Sequence, residues 1–354
     1  GNCIAAVAGT VQLGSGNNVG ISISYNQIVN NLTAKVQDST ITVTDPSTTE
    51  SINVIAASDT SILGVAFGLG VSSSKMSGAG SISIASIKNT VSAEVGQSEA
   101  GGSSTTLNAP TVTISSTDDS IIQTVAGQVN VSTSDKALGA AFAYNEINNE
   151  VHSIVDTAVI TASNEVAITA QENAKIESLS ASAGLASGTA VSLSASLNFI
   201  DNTSEARLSN GTIKDGSTTG GTNTVKITAT DGSYETTIDP TNVDPTIEEQ
   251  LDDQYSIRSI AGSVGGSYSG AGVGAAFSLN QVSNGNKVLV ENSTIEGAKV
   301  LELKALEKAI IRTFAGAVGA GQSGFSGSIT LNNIGQSFVG SNPNSTTAEL
   351  NNTT

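Results

Sequence analysis

Carboxylates are the only reactive side chains present in quantity: 31 Asp and Glu stand beside a single His and a single Cys. With His152 as the only imidazole, a His-based triad or a multi-His metal site cannot be built from this chain. His152 follows Val151 at the start of an alternating run, and its plain reading is structural. Two acid pairs, Asp118-Asp119 and Asp252-Asp253, are the residues a carbohydrate-active enzyme would need. Neighbours along a strand point to opposite faces, so neither pair makes a natural dyad, and no enzyme activity is expected. The densest acid lies in residues 231–256, which hold no Lys or Arg. There Asp239, Asp244, Glu248, Asp252 and Asp253 are candidate Ca2+ ligands, since calcium takes carboxylate oxygens. The loop pattern DxDxDG is absent, and a solvated acidic loop is the plainer reading of the same residues.

The elements that must position these groups repeat. Ile, two variable residues and a bulky apolar residue recur at Ile4, Ile62, Ile122, Ile176, Ile257 and Ile311. The steps are 58, 60, 54, 81 and 54 residues, and the long one contains the acidic insertion at 231–256. A long fixed period marks stacked repeats. The repeats are read as 4–61, 62–121, 122–175, 176–233, 257–310 and an incomplete 311–354, within one continuous body over 1–354. Within each, apolar residues alternate with small or polar ones, as in half-buried strands.

Four corners per repeat are expected. One falls at Asn26, Asn145, Asn198, Asn280 and Asn332, where the parity of the apolar residues switches, as from Tyr25 to Ile28. Asn stacked there in register could form a side-chain ladder. Another falls at Asp38, Thr157, Asn210 and Asn292, between apolar residues five apart. A further one carries acid: Asp59, Asp118 with Asp119, Glu172, Asp231 and Glu307. Geometry favours two rungs of about 27 residues per repeat and a body roughly 60 Å long, because a single wide rung would enclose a void that small side chains cannot fill.

Composition agrees with a thin core: 38% hydrophobic, 3% aromatic, no Trp and 37 Gly. A net charge of −17 with only three Arg excludes a nucleic-acid binder. One cysteine, Cys3, excludes an internal disulfide framework. There is no apolar run long enough to span a membrane, and no leader is seen. The abrupt ends suggest an interior stretch of a longer protein, or a subunit that stacks on others. N-x-S/T triplets, among them those at Asn130 and Asn202, are abundant enough here to arise by chance.

The phrases IAGSVGGSYSGAGVGAAFSLNQVSN and VENSTIEGAKVLELKALEKAIIRTFAGAVG resemble the repeats of filamentous-haemagglutinin-like exoproteins, especially leukotoxin-type filamentous adhesins. The resemblance covers nearly all the chain outside 231–256. It implies an all-β fold, a right-handed, flattened parallel β-helix (β-solenoid), exported and displayed on a bacterial cell surface. The function it implies is a structural and adhesive segment, a rigid stalk or fibre, with no catalytic motif to carry over. The implied partners are itself, end to end or laterally, further repeats of a longer chain, or a host or neighbouring-cell surface. A self-assembling filament or sheath subunit and a carbohydrate-active β-helix enzyme are the alternatives.

Overall fold

The computed structural model describes residues 1–43, 50–98, 102–217, 223–232, 256–335 and 345–354. Among these residues the chain is all-β and its sheets are parallel. The first sheet contains β1 (Asn2–Gly14), β4 (Ser51–Ser72), β7 (Thr111–Ser132), β11 (Glu165–Ala186), the collinear β15 (Thr224–Asp231) and β16 (Ile257–Ser267), and the collinear β20 (Val300–Glu307) and β21 (Ile311–Ala320).

The second contains β2 (Asn18–Gln37), β5 (Ser77–Gly96), and four collinear pairs. These are β8 (Lys136–Ile147) with β9 (Glu150–Asp156), β12 (Thr189–Ile200) with β13 (Thr203–Ser209), β17 (Ala271–Val282) with β18 (Gly285–Glu291), and β22 (Ser323–Ile334) with β23 (Thr346–Asn351). A short third sheet holds β3 (Thr40–Thr42), β6 (Thr105–Asn108), β10 (Ala158–Ala162), β14 (Thr212–Asp215) and β19 (Thr294–Glu296).

The register follows the sequence period. Ile4 pairs with Ile62, Ile62 with Ile122, Ile122 with Ile176, Ile176 with Ile257 and Ile257 with Ile311. One repeat therefore makes one pass, not two, and adjacent passes hydrogen-bond to each other. At about 4.8 Å per pass, the stack is half as tall as the two-rung reading expects. The unbroken β11 spans the insertion: it pairs with β15 up to Glu172–Asp231 and resumes with β16 at Ile176–Ile257.

Each pass has three sides rather than four. One expected corner is present: Asp38, Thr157, Asn210 and Asn292 all have positive φ, between 48° and 55°, where the chain leaves the second sheet for the third. Asn and Asp tolerate this left-handed backbone; a β-branched Thr does so at a cost. The Asn corner is not a turn, and the acidic one is a strand end only at Asp231 and Glu307, which close β15 and β20. Asn26 lies inside the 20-residue β2, and Asn145, Asn198 and Asn280 lie inside β8, β12 and β17. The acids Asp118 and Glu172 sit in the middle of 22-residue strands.

The parity switch is a change of chemistry, not of backbone. In β2 the inward residues are Gly20, Ser22, Ser24, Asn26 and Ile28, one unbroken parity, while Val19, Ile21, Ile23 and Tyr25 face outward. Each pass is thus wide at one end and thin at the other. The wide end, closed by the third sheet, holds an aliphatic core that includes Val54, Val91, Leu107, Ile160, Ile168 and Leu208. A column of Ile28, Ile62, Ile87, Ile122, Ile147, Ile176, Ile200, Ile257 and Val282 forms a second core. Beyond it the two long sheets close mainly on Gly, Ser and Ala, with the buried Thr124, Gln128 and Asn130 among them. A Cβ placed on Gly265 would overlap the Val273 carbonyl on the facing strand, so only Gly permits that approach. This closure removes the void that argued against a single pass per repeat.

Candidate functional site

Between the two aliphatic cores runs a buried polar spine, built from one column of each long sheet. On the first sheet Ser58, Asp118, Glu172, Asp231 and Glu307 are successive register partners. Asp118, Glu172 and Asp231 are between 0% and 4% exposed, although a carboxylate is almost never fully buried without a partner. Facing them are the buried Asn89, Asn149, Asn202 and Asn284.

The spine is cross-linked in two directions. Along the stack, the backbone N–H of Asn89 donates to Asn149 Oδ1 at 2.8 Å, that of Asn149 to Asn202 Oδ1 at 2.9 Å, and that of Asn202 to Asn284 Oδ1 at 3.3 Å. Across the interior, Asn89 Nδ2 donates to Asp118 Oδ1 at 2.8 Å and Asn149 Nδ2 to Asp118 Oδ2 at 2.8 Å. Glu172 Oε1 accepts from Asn149 Nδ2 at 3.0 Å and from Asn202 Nδ2 at 3.2 Å. Glu172 Oε2 and Asp231 Oδ2 are buried and have no hydrogen-bond partner among the described residues.

These surroundings favour the neutral acid. Burial pushes the Glu172 carboxyl well above the ordinary Glu value, and the nearby carboxylates of Asp118 and Asp231 push it further. Asp231 is raised well above its ordinary value by burial and by Glu307, against the opposing backbone N–H of Gly232. Asp118 is also raised by burial, while Ser120, Ser58 and Asn89 oppose the shift. A buried acid in its neutral form can donate as well as accept a hydrogen bond, and adds no charge to the column.

A second polar ladder runs through the Asn positions read as corners. Asn145 Nδ2 donates to Asn198 Oδ1 at 2.7 Å, Asn198 Nδ2 to Asn280 Oδ1 at 2.7 Å, and Asn280 Nδ2 to Asn332 Oδ1 at 3.0 Å. Asn26 stands apart, because its register partner is Ala85; its Nδ2 donates to Ser24 Oγ at 2.9 Å. The Asn column thus makes the side-chain ladder while the strand runs straight through it.

The remaining sequence candidates are scattered. Asp118 points inward and Asp119 outward, so that pair shares no site. His152 lies on β9, part-exposed, 4.0 Å from Glu150 and 3.7 Å from Glu205. Asp239, Asp244, Glu248, Asp252 and Asp253 lie outside the described residues. Among the described residues, no group of three or more His, Cys, Asp or Glu is placed to hold a metal ion, and no helix is long and apolar enough to cross a membrane. Asn130 and Asn202 are buried, which closes their N-x-S/T triplets to glycosylation on the folded chain. The inner Asn column was missed in the sequence, although its members recur at steps within one residue of those between the leading Ile residues.

Comparison with protein-family models, with curated proteins and with solved structures finds no match for this chain.

Proposed function

We propose that the chain is a flattened parallel β-solenoid, coiled right-handedly as its sequence resemblance implies. Its function is structural: a rigid, adhesive stalk or fibre segment of an extracellular bacterial surface protein. The observation that carries this reading is the unbroken register of the leading Ile residues through six passes, held even across the insertion. Each pass buries its apolar edge on the next, so the body gains stiffness along the stack. The strand edges of β1 and β2 at one end, and of β21 and β22 at the other, offer backbone groups to further repeats or to another subunit.

Catalysis is the weaker reading, because the unusual acids face the interior, where no polysaccharide reaches them. Immunogold electron microscopy of intact source cells, with antibody raised against this chain, tests the reading. A surface stalk gives label at a defined distance outside the envelope. Label seen only after permeabilisation rules the reading out. The filament-subunit alternative has its support in the two open ends and expects the purified chain to grow into fibres.

A further inference from the structure

We propose that the outer face of the first sheet, at the thin end of the stack, is a docking surface for the same face of a second copy of this chain. This surface needs only the stacked sheets and not the stalk reading.

Toward the thin end the alternation of β1, β4, β7, β11, β16 and β21 directs four residues of each strand outward. None of the outward residues in the four columns that start at Val7, Gly9, Val11 and Leu13 is charged, in a chain of net charge −17. Six strands about 4.8 Å apart and four columns about 6.6 Å apart give an apolar field of roughly 750 Å². An uncharged patch of that size is unusual on a protein that stays alone. Two such faces together bury about 1,500 Å², the size of a standard specific interface. Along the side nearer the polar spine the field is rimmed by Glu177, Arg258 and Arg312, and along the other by the polar turns, as interface cores are rimmed.

The relief of the field specifies its occupant. Leu179 and Ile260 form a ridge, while the Phe314 ring lies over Gly316 of the adjacent column, so that the open groove in that column is the short stretch at Ala181 and Gly262. On the other side Phe67 occupies that column on β4 with its ring against Gly127, and bounds the groove there. Glycine weakens a strand and marks places where another chain comes close. Inside the thin end that reason lies within the molecule, as at Gly265. At Gly262 it does not: an added Cβ would meet nothing within 4 Å, and the backbone there is not left-handed. The missing side chain leaves room for something outside.

A ridge from a second copy has the matching rung spacing and lack of charge. A lipid surface has no ridge to seat and gains nothing from the groove. The outer face of the second sheet is also apolar, but Leu193 interrupts its small-residue column between Ala140 and Ala275. Like meeting like about a two-fold axis closes on itself, so the expected product is a dimer.

Sedimentation velocity from about 1 to about 100 µM tests this on the whole chain, its Gly262→Phe variant and its Ile260→Glu variant. The wild type is expected to dimerise reversibly, and each variant to associate at least about tenfold more weakly. Gly262→Phe fills open space, so its circular dichroism and melting temperature should equal or exceed those of the wild type. A wild type that stays monomeric throughout overturns the proposal. So does Gly262→Phe associating as well as or better than the wild type, which a merely sticky apolar surface would produce. Growth beyond dimers that both variants leave intact places association at the open ends, and refutes this face without touching the stalk reading. A monomer that floats with phosphatidylcholine vesicles refutes it in favour of lipid.

Discussion

Replacing Glu172 with Gln should stabilise the chain at neutral pH and not at acid pH. Glu172 is fully buried, and burial, with the nearby Asp118 and Asp231, pushes its carboxyl well above the ordinary Glu value. In the unfolded chain the group ionises near 4.5. Because the folded value is raised, the folded state keeps a proton that the unfolded state releases. The stabilising contribution is complete below pH 4.5 and is lost as pH rises toward the folded value. As pH rises toward neutrality the buried acid therefore opposes folding increasingly, because the unfolded chain releases a proton that the fold retains. Gln removes that cost and keeps the acceptor for Asn149 and Asn202. Its amide nitrogen takes the place of Oε2, which has no described partner, at a cost of about 1 kcal/mol. The expectation is that Gln costs about 1 kcal/mol near pH 4 and that this difference shrinks and reverses in favour of Gln as pH rises to 7. Guanidinium denaturation followed by circular dichroism across that range measures both. General charge repulsion acts on both chains alike, so the difference isolates Glu172. A variant weakened equally at every pH refutes the neutral-carboxyl reading.

Other perturbations follow from the ladders and the corner. Asn198→Ala breaks the outer Asn ladder at its centre and leaves Asn145 Nδ2 and Asn280 Oδ1 unpaired, so denaturation should show a loss of about 2–4 kcal/mol. Asn26→Ala, whose register neighbour is already Ala85, should cost about 1 kcal/mol or less. Thr157→Gly relieves a β-branched residue at φ 55° and should raise stability by about 1 kcal/mol, seen as a higher melting temperature. Ile176→Ala, in the middle of the Ile column, should cost about 2–5 kcal/mol in the same assay.

The long period and the leading Ile residues carried the register, because pairing in a stack repeats at the sequence period. The corner at Asp38, Thr157, Asn210 and Asn292 was equally legible, since a five-residue apolar spacing there needs a residue that leaves the strand. The other corners misled because large apolar residues were read as inward. At the thin end the inward positions hold mainly Gly, Ser and Ala with a few polar residues such as Gln128 and Asn130, and the large apolar side chains of Val19, Ile21 and Ile23 go outside. The same closeness of the sheets hid the single pass per repeat. The acids Asp118, Glu172 and Asp231 look like turn residues in the sequence, because nothing local reveals that four Asn from a distant strand column face them. That pairing exists only once the two long sheets are folded together.

One distance tests the single-pass stack most directly. Spin labels at Ser15 and Gln322, in the turns of the first and last passes, on a background in which the exposed Cys3 is replaced, can be measured by double electron–electron resonance. Five steps of about 4.8 Å place the labels about 24 Å apart. A separation near 50 Å, as two rungs per repeat would give, contradicts the architecture on which every other inference here stands.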